Sequence, residues 1–317
     1  MAFFDVFNGD ADGLCALQQL RLAQPLESSL ITGVKRDIAL LGRVEAAKGD
    51  QITVLDVAME KNIRPLMRLL DAGVRIRYFD HHFPGEIPEH PHLEVHIETL
   101  PDKGTSLLVD QALEGRHRAW AVVGTFGDNF DATAGKAAKP LGLKTDELDA
   151  LRKLGIYLNY NGYGATPQDL HVHPEQLFRS INPYRDPLDF IARDETFGLL
   201  EAGYRDDMSH ASSLTPVLET DRHAVYILPC ESWARRVSGV LANRLARSAP
   251  NKAHAMLTQL PEDGFLVSVR APLSRPEGAD SLCLGFPTGG GRKAAAGINR
   301  LESGDYETFM KRFTEAF

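Results

Sequence analysis

The sequence has few cysteines, an acidic charge balance and no long hydrophobic run. Its three cysteines, Cys15, Cys230 and Cys283, lie far apart without a CxxC pair, which argues against a disulfide framework and a zinc-thiolate site. The 35 basic side chains are outnumbered by 43 acidic ones, so we expect no broad basic surface for long nucleic acid, although a small anion could bind in a local pocket. No stretch approaches ~20 apolar residues, and the chain starts without the pattern of a signal peptide. These absences predict a cytoplasmic protein with no membrane partner.

The chain is long enough to form two domains. It has 317 residues, 43% of them hydrophobic, and an ordinary domain contains about 100 to 200 residues. At the start of the chain, short β-rich runs alternate with segments that carry apolar residues at helical spacing, which predicts βαβ units and a parallel sheet. The predicted strands of this sheet are residues 2–7, 30–34, 51–56 and 74–80.

The rest of the chain divides into a helical part and a second α/β pattern. Residues 104–204 read mainly as helices, apart from an irregular loop rich in Tyr, Pro and His at 161–186. The second α/β pattern starts at about residue 221 and contains a strand, a helix, two strand-like runs, a glycine cluster and an amphipathic helix. We therefore expect an α/β fold with an N-terminal parallel-sheet domain, covered by helices on both faces, and a smaller C-terminal α/β domain. The expected bounds are 1–204 for the first domain, 205–220 for a linker and 221–317 for the second domain.

Acidic and imidazole side chains stand at the ends of three predicted strands, and one further acid follows an apolar helical run. The carboxyl ends of parallel strands meet at one edge of the sheet, where ligands bind. Taken singly, an Asp after a strand is usually a turn residue or a helix cap, and the Asp-Ala-Asp-Gly run lacks the further acids of a calcium loop. Convergence from several strands is not explained by capping. The residues concerned are Asp10, Asp12, Asp56, Asp80, His81, His82 and Asp128.

So many carboxylates at one edge would repel each other and raise each other's pKa unless a cation lay between them. Carboxylates with a neutral imidazole suit Mn or Mg better than the thiolate-rich sites that favour zinc. Two such ions can clamp a phosphoryl group and activate water. The pattern therefore predicts a phosphoesterase.

The same residues resemble the motifs of the DHH phosphoesterase superfamily, which contains RecJ exonucleases, oligoribonucleases of the NrnA type and cyclic-dinucleotide phosphodiesterases. The matching motifs are Asp10-Ala11-Asp12-Gly13, Asp56, Asp80-His81-His82 and Gly127-Asp128-Asn129. The resemblance implies that a pair of Mn²⁺ ions, with Mg²⁺ or Co²⁺ as substitutes, is ligated by Asp10, Asp12, Asp56, His81 and Asp128. It also implies that His82 lies beside the metal and the scissile phosphate, and that Asp80 orients a ligand.

The C-terminal part resembles the DHH-associated substrate-binding domain. Gly289, Gly290 and Gly291 match its glycine signature, whose bare backbone N–H groups can approach an anion closely. Arg270 occupies the place of a substrate-gripping arginine in the family, and Arg292 replaces the histidine that usually follows the glycines. Arginine offers a planar donor fork that suits a terminal phosphate or a guanine edge.

Two further positions depart from the family pattern. Val6 stands where many oligoribonuclease members have a histidine, and Asn8 stands where RecJ-like members have an acid. The ligand set of the first metal can therefore differ, with Asn8 or a water filling in.

These features together predict a Mn-dependent hydrolase that cuts short linear nucleotides such as pGpG or pApA, and very short oligonucleotides, to mononucleotides with metal-activated water. The expected partner is a short nucleotide rather than long nucleic acid, and the oligomeric state stays open, a homodimer included. A cyclic-dinucleotide phosphodiesterase and a RecJ-like exonuclease are alternatives of the same class. A nucleotide-binding sensor with weak or no turnover is an alternative of another class.

Overall fold

Five parallel strands form the first sheet of the computed structural model, which describes all residues from 1 to 317. Their order in the sheet is β2-β1-β3-β4-β5. The strands are β1 (Phe3–Asn8), β2 (Ser29–Gly33), β3 (Gln51–Leu55), β4 (Arg75–Asp80) and β5 (Leu93–Ile97). The first four lie within one residue of the predicted bounds, and β5 is an addition. The predicted α/β class with an N-terminal parallel sheet is confirmed.

Nine α-helices accompany this sheet. Helices α1 and α2 follow β1 and β3, and the others form the predicted helical part of the chain. The helices are α1 (Ala11–Ala23), α2 (Met59–Asp71), α3 (Thr105–Ala112), α4 (Arg118–Gly127), α5 (Asp131–Ala138), α6 (Thr145–Asn161), α7 (Pro174–Ile181), α8 (Pro187–Arg193) and α9 (Glu195–Ser212). Short 3₁₀ turns lie at Leu40–Arg43, Lys139–Leu141 and Pro167–Asp169.

One face of the parallel sheet is uniformly apolar. Successive side chains of a strand point to opposite faces, and on this face Val6, Val54 and Tyr78 are fully buried. They share a core with Leu66 and Leu70 of α2. Burying side chains of this size stabilises the fold by about 1.5 to 3 kcal/mol each. Val6 is thus a core residue that faces α2.

The opposite face carries polar side chains near the start of the strands. Asp5 of β1 accepts hydrogen bonds from Arg21 of α1, with Nε 2.9 Å from Oδ2 and Nη2 3.0 Å from Oδ1, and from Ser28 Oγ at 2.6 Å. Both charged side chains are buried, with exposed fractions of 1% and 8%. This bidentate pair fixes the C-terminal end of α1 to the sheet. It thereby helps to position the N-terminal end of the same helix, where Asp10 and Asp12 lie.

Helices α4 and α6 cross at a pair of glycines. A Cβ atom on Gly155 of α6 would lie 2.3 Å from the carbonyl oxygen of Val123 and 2.9 Å from the backbone nitrogen of Gly127. Both neighbours are backbone atoms of α4, so they cannot move aside as a side chain can. The close approach of the two helices therefore requires glycine at position 155.

We expect Gly155→Ala to lower the free energy of unfolding by about 2 to 3 kcal/mol, because the added methyl group forces two packed helices apart. Urea unfolding followed by circular dichroism measures this. Gly198→Ala is the matched control, since no atom lies within 4 Å of a Cβ built there and the position is in α9. The control should be neutral or stabilising by up to ~1 kcal/mol. Equal stabilities of the two variants would contradict the packing argument.

Two segments differ from the sequence-based expectation. The stretch at 161–186, expected to be an irregular loop, contains α7, which His173 caps by accepting a hydrogen bond from Glu175 N at 3.2 Å. Residues 205–212, expected to begin the linker, continue α9. They are helical because Met208 and Ala211 are buried at helical spacing and because Asp207 pairs with Arg236 at 2.7 Å.

The structure divides into two compact units, Met1–Gly203 and Tyr204–Phe317, called the N-terminal and C-terminal units below. The C-terminal unit contains a six-stranded sheet in the order β10-β11-β9-β8-β7-β6. Only β7 and β8 pair in parallel. Its elements are β6 (Leu218–Glu219), β7 (His223–Leu228), α10 (Ser232–Ser248), β8 (Ala253–Gln259), β9 (Phe265–Arg270), α11 (Ala279–Leu284), β10 (Gly289–Arg292), β11 (Ala295–Leu301) and α12 (Tyr306–Ala316), with a 3₁₀ turn at Ser303–Asp305.

The core of the C-terminal unit lies between this sheet and α12. Val267 and Val269 of β9, with Ile298 of β11, pack against Phe309 and Phe313. All five are buried. The intervening residues of β9 and β11 point to the other face of the sheet, where Arg270 contacts Asn243 of α10.

Two properties of the whole chain complete the description. None of the helices combines the length and the hydrophobicity needed to cross a membrane. All three cysteines carry free thiols, and Cys15 and Cys283 are buried. Burial raises the pKa of the Cys283 thiol to about 12, which keeps that thiol protonated and unreactive at neutral pH.

Candidate metal centre

Helix α1 begins at the carboxyl end of β1, and its first turn carries two of the predicted acids. Asp10 is the N-cap residue, with extended backbone angles, and its Oδ1 accepts hydrogen bonds from Asp12 N at 3.0 Å and Gly13 N at 3.2 Å. Asp10 and Asp12 are buried, with exposed fractions of 1% and 0%. The capping interpretation of Asp10 is therefore correct for one of its oxygens, while the second oxygen faces the interior of the cluster.

Asp12 also fixes the start of α3. Its Oδ2 accepts a hydrogen bond from Thr105 N at 2.5 Å, and its Oδ1 accepts one from Ser106 N at 2.8 Å. These are the otherwise unpaired N–H groups of the first helical turn, which favour a negative charge. Gly104 precedes them and packs directly against this carboxylate. The Gly104-Thr105-Ser106 segment was not singled out in the sequence, although a Gly before Thr-Ser is an ordinary helix-start signal.

Asp56 follows β3 in an unusual backbone conformation. Its φ of 57° lies in the left-handed region, which Asp and Asn tolerate better than most residues because of their short polar side chains. Asp56 N donates to Phe79 O at 3.0 Å, and Thr105 Oγ1 donates to Asp56 Oδ1 at 3.2 Å. The turn places a buried carboxylate between the ends of β1 and β4.

The Asp80-His81-His82 triplet ends β4. Asp80 is fully buried, and its Oδ1 accepts hydrogen bonds from His81 N at 2.9 Å and from His82 Nδ1 at 2.7 Å. Because the acceptor is a carboxylate, His82 carries its proton on Nδ1 in this contact. His81 points elsewhere: its Nε2 lies 3.5 Å from Asp56 Oδ1 and 3.9 Å from Asp128 Oδ2.

Asp128 completes the cluster from the end of α4. The helix stops there because the next residue, Asn129, has a φ of 64°, and this turn brings the Asp128 carboxylate to the edge of the parallel sheet. Two groups of three side chains have ligand atoms within 4.8 Å of one another and could hold a metal ion. They are Asp12, His81 and Asp128, and Asp56, His81 and His82. The structure thus brings together side chains that are 116 positions apart in the sequence, residues 12 to 128.

The electrostatics of the cluster show a shortage of positive charge. Burial, followed by the charge of Asp128, raises the pKa of Asp12 to about 6. Burial and the charges of Asp10 and Asp12 raise the pKa of Asp56 well above its ordinary value. A divalent cation would offset both effects and keep the carboxylates ionised. The oxygen and imidazole donors also match a hard or borderline ion, so these residues fit Mn²⁺ or Mg²⁺.

Lys35 is a member of the cluster that sequence reasoning missed. It lies two residues beyond the end of β2, and its Nζ donates to Asp10 Oδ2, to Asp128 Oδ1 at 3.2 Å and to Asn159 Oδ1 at 2.9 Å. Burial lowers the pKa of Lys35, but the charges of Asp10 and Asp128 outweigh it and raise the pKa well above its ordinary value. The ammonium also outweighs the effect of burial on Asp10, whose pKa is lowered.

Asn8 lies at the end of β1 beside this lysine. It is buried, and its Nδ2 donates to the carbonyl oxygen of Lys35 at 3.2 Å. Asn8 Oδ1 is buried without a hydrogen-bond partner. The side chain that was considered as support for a metal therefore contacts the main chain of Lys35 in the structure.

The predicted substrate-binding residues lie in one region of the C-terminal unit. Arg270 of β9 and Arg292 of β10 are both directly opposite Ala295 of the intervening strand β11. Directly opposite residues point to the same face of a sheet, so the two arginines flank a small residue with their Cα atoms roughly 10 Å apart. Arg270 Nε donates to Asn243 Oδ1 of α10 at 2.8 Å, and Arg292 is exposed.

The glycine cluster forms the adjoining edge strand. Gly290 pairs with Gly297, which in turn pairs with Ser268, so small residues occupy the next row on the face that carries the arginines. No atom lies within 4 Å of a Cβ built on Gly290. Gly289 packs on Cys283 O, and Gly291 has a φ of 139°, so both need the absence of a side chain. The result is exposed backbone next to two guanidinium groups.

No protein-family model and no curated protein sequence matches the chain. Solved structures do match. Exonuclease RecJ bound to manganese is 18% identical, with a TM-score of 0.63 over 98% of this chain and 89% of that one. RecJ from Thermus thermophilus in complex with Mn²⁺ is also 18% identical at a TM-score of 0.63, but only 51% of its length is matched.

A third structure matches over its full length. The pGpG-specific phosphodiesterase PggH from Vibrio cholerae is 14% identical, with a TM-score of 0.55 over 100% of this chain and 99% of that one. Identities this low establish likeness of fold rather than of activity. The chain therefore has the α/β fold of RecJ and of PggH.

Proposed function

We propose that this protein is a divalent-metal-dependent phosphodiesterase that hydrolyses short linear nucleotides to mononucleotides. The observation that carries the proposal is the convergence of Asp12, His81 and Asp128 within 4.8 Å, with Asp56 Oδ1 3.5 Å from the same imidazole. When bound there, a divalent ion supplies charge stabilisation to a phosphoryl group and activates water. Carboxylate and imidazole donors support Mn²⁺ as the working ion, with Mg²⁺ as a substitute.

The residues around the ion have separate tasks in this proposal. Asp80 holds the proton of His82 on Nδ1, so that the ring is fixed and Nε2 is the atom available to the substrate. His82 is suited to this contact because its side chain is 46% exposed, whereas that of His81 is 12% exposed. Thr105 and Ser106 hold the carboxylates of Asp56 and Asp12 in place.

A nucleotide substrate is supported by the arginine pair of the C-terminal unit. Arg270 and Arg292 lie on one face with bare glycine backbone beside them, a combination suited to a phosphate. The anchored side chain of Arg270 gives a fixed donor, while the exposed fork of Arg292 remains available to a second anionic group. Two arginines on one face, with Cα atoms roughly 10 Å apart, suit a ligand with more than one phosphate.

A short substrate is supported by a structural neighbour and by charge. The fold is shared with a protein described as a pGpG-specific phosphodiesterase. The net charge of −8 also disfavours a long polyanion. Linear dinucleotides are therefore the preferred substrates in our proposal, ahead of cyclic dinucleotides and long single strands.

A substrate panel tests the proposal. The purified chain is given Mn²⁺, Mg²⁺ or EDTA with pGpG, pApA, their cyclic counterparts, a long single-stranded DNA or pyrophosphate, and the products are separated by anion-exchange chromatography. We expect mononucleotides from the linear dinucleotides at the lowest enzyme concentration, and no product with EDTA. Faster cleavage of the long strand would support a RecJ-like exonuclease instead, and tight nucleotide binding without turnover would support a sensor.

We expect Arg292→Ala to raise KM for the dinucleotide about tenfold, equivalent to ~1.4 kcal/mol, because a charge-assisted hydrogen bond to the substrate is lost. The value of kcat and the affinity for Mn²⁺ should not change, since Arg292 lies in the C-terminal unit. Steady-state kinetics measure the effect. Lys293→Ala is the control, because it removes a neighbouring exposed cation that is not in the row of directly opposite residues formed by Arg270, Ala295 and Arg292. Equal KM values for wild type and Arg292→Ala would remove the assigned role.

A further inference from the structure

The ammonium group of Lys35 lies inside the acidic cluster rather than beside it. Its Nζ contacts Asp10, Asp128 and Asn159, which come from the start of α1, the end of α4 and α6. The side chain is 24% exposed, and Nζ lies 5.7 Å from the ring centre of Tyr163. A cation thus already bridges two of the carboxylates that the family resemblance assigns to metal ions.

The backbone of Lys35 is held in this position from both sides. Its N–H donates to Gly162 O at 2.8 Å, and its carbonyl oxygen accepts from Asn8 Nδ2 at 3.2 Å. Asn8 occupies the position where RecJ-like members have an acid. In this chain the amide serves Lys35, because an amide can donate to a carbonyl oxygen and a carboxylate cannot. The asparagine at position 8 therefore helps to hold Lys35 in its place in the cluster.

Asp10 has little capacity left for a metal ion. Its Oδ1 caps α1 through two backbone N–H groups, and its Oδ2 accepts from Lys35. Neither of the two groups that could hold a metal includes Asp10. Val6, at the place of a histidine in many oligoribonuclease members, is buried in the core on the α2 face. With Asp10 occupied and Val6 in place of a histidine, too few ligand side chains remain to hold two divalent ions.

The second potential group could use His82 only through Nε2, the nitrogen that the proposed function assigns to the substrate. Its member His82 comes within 3.9 Å of Asp56 Oδ1 through Nδ1, the same atom that lies 2.7 Å from Asp80 Oδ1. A nitrogen that donates its proton to a carboxylate cannot at the same time ligate a metal. The group of Asp12, His81 and Asp128, with Asp56 beside it, keeps its ligand atoms.

We infer that this centre holds one divalent ion, at Asp12, Asp56, His81 and Asp128, and that the Lys35 ammonium replaces the second ion. The inference rests on the proposed function and narrows it to a single-metal centre. The divalent ion and the ammonium together carry three positive charges. They leave one net negative charge on the four carboxylates of Asp10, Asp12, Asp56 and Asp128. A second ion near Asp10 would have to lie next to the ammonium, and like charges at that separation repel strongly.

Metal stoichiometry tests the inference without reference to substrate. The full-length chain is stripped with chelator, dialysed against Mn²⁺ and analysed for bound metal by mass spectrometry and for its electron paramagnetic resonance spectrum. We expect one Mn²⁺ per chain and the six-line spectrum of an isolated ion. Two ions per chain with an exchange-coupled spectrum would overturn the inference and leave the proposed function standing. Absence of any bound ion would overturn both.

Variants of Lys35 provide the second test. Lys35→Met removes the charge at similar length, so Asp10 and Asp128 become available and the stoichiometry should rise to two. Lys35→Arg keeps the charge and should stay at one, as should Lys153→Met, which removes an exposed lysine of α6. A count of one in Lys35→Met would overturn the claim that the ammonium excludes a second ion. The wild-type count remains decisive if a variant fails to fold.

Discussion

Replacement of His81 by alanine should lower kcat by ~1000-fold or more, because loss of a ligand in the proposed metal centre removes about 4 kcal/mol of charge stabilisation. Its Nε2 is close to both Asp56 and Asp128, at 3.5 and 3.9 Å. Asp56→Asn should have an effect of similar size. Asparagine is preferred to alanine at this position because it also tolerates the left-handed backbone at a φ of 57°. Initial rates with pGpG at saturating Mn²⁺ measure both effects.

The matched control for His81 is His90→Ala. His90 lies between β4 and β5, where its Nδ1 accepts a hydrogen bond from His92 N at 3.1 Å, and it takes no part in the acidic cluster. It should keep wild-type turnover. Circular dichroism establishes that each variant is folded, and dialysis against Mn²⁺ reports the bound metal. Full activity of a folded His81→Ala protein would refute the ligand assignment, whatever substrate is used.

The second large effect is expected for Gly104→Ala, which should lower kcat by ~100-fold. A methyl group at this position would lie 2.7 Å from Oδ2 and 2.9 Å from Oδ1 of Asp12, so the carboxylate must move. Asp12 would then leave both the N–H groups of α3 and the ion. A displacement of about 1 Å in a catalytic group can cost ~100-fold in rate. Residue 104 has an ordinary extended backbone, with φ −89° and ψ 172°, so alanine itself introduces no backbone strain.

Gly135→Ala provides the comparison for this change. It adds the same methyl group to a helix of the same unit, at a place where no atom lies within 4 Å, and it should leave turnover unchanged. Affinity for Mn²⁺ should fall in Gly104→Ala alone. If Gly104→Ala kept wild-type rates and metal affinity, Asp12 would be either mobile or dispensable, and its role as a ligand would have to be withdrawn.

The main features of the fold could be predicted because local patterns and packing agree. The apolar runs of β1 to β4 end at turns or polar residues, and the central strands β1, β3 and β4 are largely buried, so pattern and length both indicate a parallel sheet. β5 was missed although Leu93, Val95 and Ile97 alternate along it. His96 of this strand lies directly opposite Phe79 and stacks on it, with a distance of 4.4 Å between the ring centroids.

The acids of the candidate centre could be found because strand ends share one edge of a parallel sheet. Lys35 obeys the same rule, since it lies just after β2, yet a single lysine beyond a strand has no distinguishing pattern. The different roles of the two Asp10 oxygens could not be predicted from the sequence either. Sequence could not show that one oxygen of Asp10 caps α1 while the other meets an ammonium, because that depends on the position of α6 and its Asn159.

The outer strand β10 has a consequence for the behaviour of the protein in concentrated solution. It has a neighbour on one side only, so its outward N–H and C=O groups could pair with the edge of another molecule. The strand is only four residues long and ends at exposed Arg292, which exposed Lys293 follows. Repulsion between these cations on two molecules opposes the pairing of two such strand edges. Arg292, which we link to nucleotide binding, therefore also acts with Lys293 against edge-to-edge association, and removal of both charges should be detected first as turbidity.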